Sequence, residues 1–287
     1  MNSEKNKVIS GTLYLVGTPI GNLSDISERA RKVLTEADFI AAEDTRNSMK
    51  LLMALGIKNE LVSYHEHNRK SSGERIIARL LSGDSCALIT DAGMPAISDP
   101  GEDIVKMCAD AGVTVSVIPG ACAAVCALAL SGLSTSRFAF EGFLSAKDSE
   151  RKKHLSSLSK ESRTMIFYEA PHKLKNTLAD MCNAFGCERK ISLCREITKL
   201  NEEISRMTLR EAVAYYNSND PRGEYVLVLE GFDGVQISEE VEELISLSPE
   251  KHVQHYVDEG MTRMEATKKA AKDRGMSKSE LYKILNT

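Results

Sequence analysis

The chain has 287 residues, 42% of them hydrophobic, with no tryptophan and a formal net charge of −4. It is therefore long enough for two modest cores and is not charged as a polyanion-coating protein would be. No apolar run approaches the roughly 20 residues of a membrane-crossing helix, and the opening MNSEKNKVIS lacks the apolar centre of a signal peptide, so a cytoplasmic protein without a membrane partner is expected.

Thr12–Val16 is a strand by composition and breaks into Gly17-Thr-Pro-Ile-Gly-Asn22. The spacing is not G-x-G-x-x-G, and Pro19 removes a backbone donor that a phosphate cradle would use, which makes a dinucleotide fingerprint a weak reading. Ser24 or Asp25 can cap a helix carrying Ile26, Ala30, Val33 and Leu34 on one side. Phe39 to Ala42 runs into Glu43-Asp-Thr-Arg46 and a helix that stops at Gly56; Leu61 to Tyr64 ends in His65-Glu-His-Asn68, and an amphipathic helix follows over 72–81.

Cys86 to Ile89 is a short apolar run, as in a strand covered on both faces, and it opens into Thr90-Asp-Ala-Gly-Met-Pro-Ala-Ile-Ser-Asp-Pro-Gly101. Gly93 and Gly101 permit unusual backbone shapes while Pro95 and Pro100 fix φ, so this loop is held in one form, either as a ligand loop or as a tight structural connection. Helical spacing follows from Asp103 to Gly112; Val113 to Ile118 is a further strand broken by Pro119-Gly120, and Ala121 to Leu130 reads as a tightly packing helix. Strand, polar loop and helix thus alternate over residues 11–135, which specifies a parallel α/β domain with its loops on one edge.

Phe138 to Phe143 opens a second α/β unit over 138–232, with a charged helix at 149–159 and apolar runs at Thr164 to Tyr168, Lys190 to Cys194 and Tyr225 to Leu229. The acidic stretch after Gly231 reads as a linker: from Asp233 to Glu250 there are six acidic residues and no basic ones. From Lys251 onward eight Lys/Arg face five Asp/Glu, with two histidines in addition. Within the segment 250–287, a helix ending at Gly275 and a second capped by Ser277 with Glu280 resemble a helix-turn-helix, in which Lys278 and Lys283 either meet phosphate or form a solvated face. Seven cysteines without a C-x-x-C pair read as buried reduced thiols.

A series of segments, taken in order, resembles the small-subunit ribosomal RNA 2′-O-methyltransferases within the tetrapyrrole-methylase superfamily: LYLVGTPIGNLSDISERA, EDTRNSMKLL, YHEHN, DAGMPAISDPG, IPGACAAVCAL with SGL, FEGFL, FYEAPHK, and REITKLNEE with GEYVLVLEG. Departures are few; Ala121 and Cys122 stand where that family usually has Pro and Ser, which removes one hydroxyl. The resemblance implies two α/β domains of the tetrapyrrole-methylase type with the cofactor cleft between them and a small C-terminal helical domain. It implies a homodimer that uses S-adenosylmethionine to methylate the ribose of a cytidine in the decoding region of small-subunit (16S) rRNA, in an assembled or nearly assembled subunit. By analogy the cofactor would touch Pro19, Ile20, Gly93, Met94, Ile97, Cys122, Ala123, Tyr168 and the region of Gly223.

Methyl transfer to a hydroxyl requires alignment with the methyl–sulfur bond and a route for the proton. Groups at strand ends supply candidates, of which Glu43, Arg46, His65, Glu66 and Asp91 are selected as catalytic. Arg46 suits a phosphate or ribose contact, and Glu43 or Glu66 the hydroxyl proton; the bland alternative is an internal ion-pair network, with Arg46 and Glu43 its first pair. Arg195 and Lys199 also suit phosphate or ribose, and Glu169 and His172 stand at another strand end. His65 and His67 alternate onto one side of an extended chain, but no third metal ligand stands nearby, so no metal is expected. Competing readings are a tetrapyrrole methyltransferase, a nicotinamide-dependent oxidoreductase and a non-catalytic RNA-binding protein.

Overall fold

The computed structural model describes residues 7–234, 239–274 and 276–285. Five short strands, β1 (Thr12–Val16), β2 (Phe39–Ala42), β3 (Leu61–Ser63), β4 (Cys86–Ile89) and β5 (Thr114–Ile118), form one parallel sheet in the order β3-β2-β4-β1-β5. All four residues of β2 and of β4 are buried, because helices cover both faces of the sheet. One face packs Tyr14, Val16, Ile40 and Ile89 against α1 (Glu28–Glu36) and α2 (Thr45–Leu55). The other packs Leu13, Phe39 and Leu88 against α3 (Arg69–Leu81) and α4 (Glu102–Asp110).

The helix starts are set locally. The cap of α1 is Ser27, whose Oγ accepts from the Ala30 amide at 3.1 Å, and not Ser24 or Asp25; those two lie in a single 3-10 turn whose own cap is Asn22. Asp44 caps α2 by accepting from the Arg46 amide at 2.8 Å, and Gly56 ends that helix in the left-handed region.

Helix α5 (Ala123–Ser131) follows the first sheet in sequence but shares a core with the second: Ala124, Ala127 and Leu128 pack on Ile166, Cys194, Val226 and Val228. That sheet contains β6 (Phe138–Phe143), β7 (Thr164–Glu169), β8 (Lys190–Arg195), β9 (Glu203–Thr208) and β10 (Tyr225–Leu229) in the order β6-β7-β10-β8-β9. Only β6 and β7 are parallel; the other pairings are antiparallel. Its opposite face is covered by α6 (Asp148–Ser157), α7 (Pro171–Phe185) and α8 (Leu209–Ser218). A buried ion pair anchors α6 to α7, with Arg151 at 2.7 Å from Asp180.

The cysteines depart from expectation. Cys182 and Cys187 form a disulfide, their Cα atoms 4.5 Å apart, because Gly186 turns the chain back at the end of α7; the other five thiols are free. The linker expected after Gly231 falls partly on residues 235–238, and the glycine stop at Gly275 is a single residue; both lie outside the described residues.

The C-terminal part holds four helices where two were read: α9 (Glu239–Ser246), α10 (Pro249–Asp258), α11 (Arg263–Asp273) and α12 (Lys278–Leu285). They enclose a core of their own made by Leu244, Val253, Tyr256, Ala266, Ala270 and Leu281. The Ser277–Glu280 capping arrangement is present, with the Ser277 amide 2.8 Å from the Glu280 carboxylate. His252, counted above toward the positive charge, is fully buried and accepts from Arg274 Nε at 3.0 Å; burial and the neighbouring guanidinium lower its pKa, so it adds no surface charge at neutral pH. No described helix is long and apolar enough to cross a membrane.

Candidate active site

Parallel strands place every following loop on the same edge of the first sheet, and that edge faces the second sheet across a cleft of about 400 Å3. Two glycine contacts bring the loops close enough to form its floor. A Cβ at Gly17 would stand 2.6 Å from the Gly120 Cα, so the loops after β1 and β5 touch backbone to backbone. Thr18 and Gly93 exchange amide-to-carbonyl hydrogen bonds of 2.9 and 3.2 Å, which ties the loop after β1 to the loop after β4.

The 90–101 loop carries stored strain. Ala96 and Ser98 have φ of 66° and 63°, and Gly93 and Gly101 have φ of 85° and 151°. Non-glycine residues in the left-handed region cost on the order of 1–3 kcal/mol each and concentrate where function requires a fixed shape. This favours the ligand-loop reading over a plain connection.

Of the residues matched by analogy to cofactor contacts, Ile20, Gly93, Met94, Ile97, Cys122, Ala123 and Tyr168 all line this cleft. Pro19 and Gly223 do not, although each adjoins a lining residue, Ile20 and Glu224 respectively. Tyr168 crosses from the second sheet: its hydroxyl accepts from the Ala124 amide at 3.2 Å at the start of α5, and burial raises its pKa to about 12, so it stays protonated.

The five catalytic candidates do not all meet. Glu43 accepts from the backbone amide of Asp91, and burial followed by the Asp91 charge raises its pKa; His65 is near enough to oppose that rise. The Nδ1 of His65 is buried without a hydrogen-bond partner among the described residues. Asn47, which the sequence reading passed over, donates to Asp91 Oδ2 at 2.8 Å. Arg46 turns to Asp44, at 2.8 Å, and not to Glu43; its side chain is 86% exposed, and its hydrogen bonds hold the Asp44 carboxyl at about 2. Glu66 is exposed and lies in a separate shallow groove with His67, Arg69 and Lys70. Among the described residues no group of three or more His, Cys, Asp or Glu could hold a metal.

Asp99 was missed. It lines the cleft half-buried, and desolvation, then the charges of Glu43 and Asp91, push its carboxyl up to about 6. The available signal was its place directly before Pro100 in the loop already singled out. Other candidates are spoken for: Lys199 bridges Glu196 and Glu224 at 2.9 and 2.7 Å, Arg195 pairs with Glu203 at 2.7 Å, and buried Glu169 accepts from the Ala170 amide at 2.8 Å.

Residues 12–213 match the family model described as Tetrapyrrole (Corrin/Porphyrin) Methylases. The chain is 48% identical to the "Ribosomal RNA small subunit methyltransferase I" of Bacillus subtilis (strain 168), over 95% of this chain and 93% of that protein. It is 49% identical to the protein of the same name from Halalkalibacterium halodurans, over 96% and 94%. Among solved structures, the uroporphyrin-III-C-methyltransferase of Thermus thermophilus superposes with a TM-score of 0.55 at 21% identity, over 77% of this chain and 94% of that one, and shares the fold. With an all-parallel sheet facing a mixed one across a loop-lined cleft, and with relatives matched almost end to end, the chain belongs to the tetrapyrrole (corrin/porphyrin) methylase family, among the ribosomal RNA small subunit methyltransferases I.

Proposed function

We propose that this chain is an S-adenosylmethionine-dependent methyltransferase that methylates the ribose 2′-oxygen of a cytidine in the decoding region of small-subunit rRNA. The observation that carries the reading is the near end-to-end match, at 48% identity, to a relative named for small-subunit rRNA methylation. The cleft suits the donor: its volume of about 400 Å3 falls within the range of roughly 300–1,000 Å3 typical of small-molecule sites. Met94, Ile97, Ile197 and Val226 offer apolar surface to an adenine ring, and Gly93 leaves open the space that a Cβ would take near Ile20 and the Ala121 carbonyl. Asp99 supplies a carboxylate in reach of a sulfonium.

The bound donor would supply an electrophilic methyl group. The chain's task is then to bring a hydroxyl in line with it, exclude water and take one proton. The 2′-oxygen gains the methyl as the methyl–sulfur bond breaks, and the hydroxyl proton passes to a carboxylate. Asp99 is the acceptor we assign, because a group with a pKa of about 6 is ionised at neutral pH yet more basic than an ordinary carboxylate. Glu43 and Asp91, with Asn47 fixing the latter, orient the ribose. Arg46, exposed on the rim, takes a phosphate. On α11 the exposed Lys268, Lys269 and Lys272 line a shallow groove and extend the RNA contact, while Ala266, Ala270 and Ala271 face the core. The protein works in the cytoplasm as a homodimer on an assembled or nearly assembled subunit.

The test is a comparison of 2′-O-methyl positions in rRNA from cells with and without the protein, followed by transfer in vitro to undermethylated subunits. Loss of one cytidine modification and its restoration by purified protein are expected. An unchanged rRNA map, or methylation of a porphyrin precursor in its place, would favour the tetrapyrrole reading.

A further inference from the structure

One ring at the cleft has no task in the chemistry above. Phe143 ends β6 at the cleft wall and is 57% exposed, and of the exposed aromatic side chains Phe138, Phe143, Tyr215 and Tyr282 it alone lines this cleft. It is also fixed. Its ring meets Tyr168 edge-on with centroids 5.3 Å apart, and Tyr168 is held in turn by Phe140 at 5.1 Å and by its bond to the Ala124 amide. The ladder between β6 and β7 shifts register between Phe140 and Gly142, the kind of bulge that re-aims a side chain beside a site. Gly142, with φ of 65°, lies so close to the 90–101 loop that a Cβ there would be 3.2 Å from Ser98 Oγ, so the bulge seats the strand end against the loop that carries Asp99.

Charge decides what can lie on such a ring. The Asp91 charge raises the pKa of Glu43, the charges of Glu43 and Asp91 raise that of Asp99, and this acidic group repels phosphate. The part of a nucleotide that can approach it is the uncharged nucleoside, whose hydroxyls donate to carboxylates and whose base is flat and apolar on its faces. We propose that Phe143 is the stacking platform for the nucleobase of the acceptor nucleotide, which is turned out of its surroundings so that its ribose reaches the carboxylates. This rests on the RNA-methylating reading of the cleft.

The experiment compares wild-type protein with Phe143→Ala, Phe143→Leu and Phe143→Tyr. S-adenosylmethionine affinity is measured by calorimetry, and kcat and KM are measured for transfer to small subunits from cells lacking the enzyme. Base–aromatic stacking is worth about 1–3 kcal/mol, so kcat/KM should fall roughly 5- to 150-fold for Ala and Leu alike, with donor affinity within about twofold of wild type and Tyr close to wild type. Leu fills most of the ring's volume without offering a π-face. Recovery of kcat/KM in Leu would show a packing role and overturn the platform, as would donor affinity falling in step with transfer. Absence of transfer by the wild type overturns the substrate reading and the platform with it; wild-type transfer indifferent to the ring overturns the platform alone.

Discussion

Asp99 couples stability and activity to pH in opposite senses. Its folded-state pKa of about 6 lies above the ordinary 3.8, so between those values the folded protein holds a proton that the unfolded chain has released. The stability this gives is present below the ordinary value and is lost as pH rises through about 6. Asp99→Asn cannot ionise and is expected to melt higher than wild type near pH 7.5, with little difference near pH 3.5, as thermal unfolding at about these two pH values would show. Methyl transfer needs the ionised form: kcat/KM, which reports groups of the free enzyme, should rise about tenfold per unit below pH 6 and level off above it, and Asn should lose both the slope and the rate. A wild-type profile flat from about pH 5 to 8 would sink the assignment. Arg46 and Glu66 separate in a similar way. The Arg46–Asp44 pair is exposed and local, so Arg46→Ala should leave the melting temperature unchanged while transfer to subunits falls at least about tenfold. Glu66→Gln should leave transfer within about twofold, because that carboxylate lies outside the cleft; a loss as large as that of Arg46→Ala in radiolabel assays would return Glu66 to the site.

Among the elements, the loop after β4 depends most on its backbone. Gly93 combines φ of 85°, a paired bridge to Thr18 and Ile20 Cγ2 only 3.3 Å from where a Cβ would stand. Gly93→Val places a branched side chain in the left-handed region, at on the order of 1–3 kcal/mol of strain, and pushes into the donor site. It should abolish S-adenosylmethionine binding in calorimetry with an unchanged circular dichroism spectrum; retained affinity would remove the loop from the cofactor site. This loop was legible because two glycines and two prolines punctuate it. β9 and α8 were not. Glu203–Thr208 is an edge strand with no fully buried residue, and its exposed residues Glu203 and Arg206 fall three apart, so no period of two marks it in the sequence. α8 starts on a Thr208–Glu211 capping box that lay unremarked in the sequence. α5 has no polar side at all, which fits a helix of small residues against the second sheet but gives no hint of which sheet it joins.

At the scale of the molecule, the C-terminal helices have their own core, so where the chain is cut matters. Removing everything after Gly234 takes α9 to α12 together, and the remaining protein should keep donor affinity but bind subunits more weakly, with a shallower dependence on salt because fewer counterions are released. Filter binding over a salt series checks this; an unchanged slope would assign the helices to packing or dimerisation. A cut after Glu250 would instead strand Leu244 without Val253, Tyr256 and Ala266, and should yield an aggregating protein. The sequence by itself determined the strands of the first sheet, the loops that interrupt them and the edge on which those loops gather, since short apolar runs ended by Gly, Pro or charge are local patterns and parallel strands all point one way. Tertiary structure alone decided which loop residues touch. Arg46 meets Asp44 because the helix cap holds it there, Glu66 faces away, Asp99 enters beside Glu43, Tyr168 reaches α5 from the other sheet, and Gly186 brings Cys187 back to Cys182. Such meetings depend on strand order, which sets residue 43 beside residue 91 and leaves residue 66 at the rim, and no local spacing in the chain encodes that order.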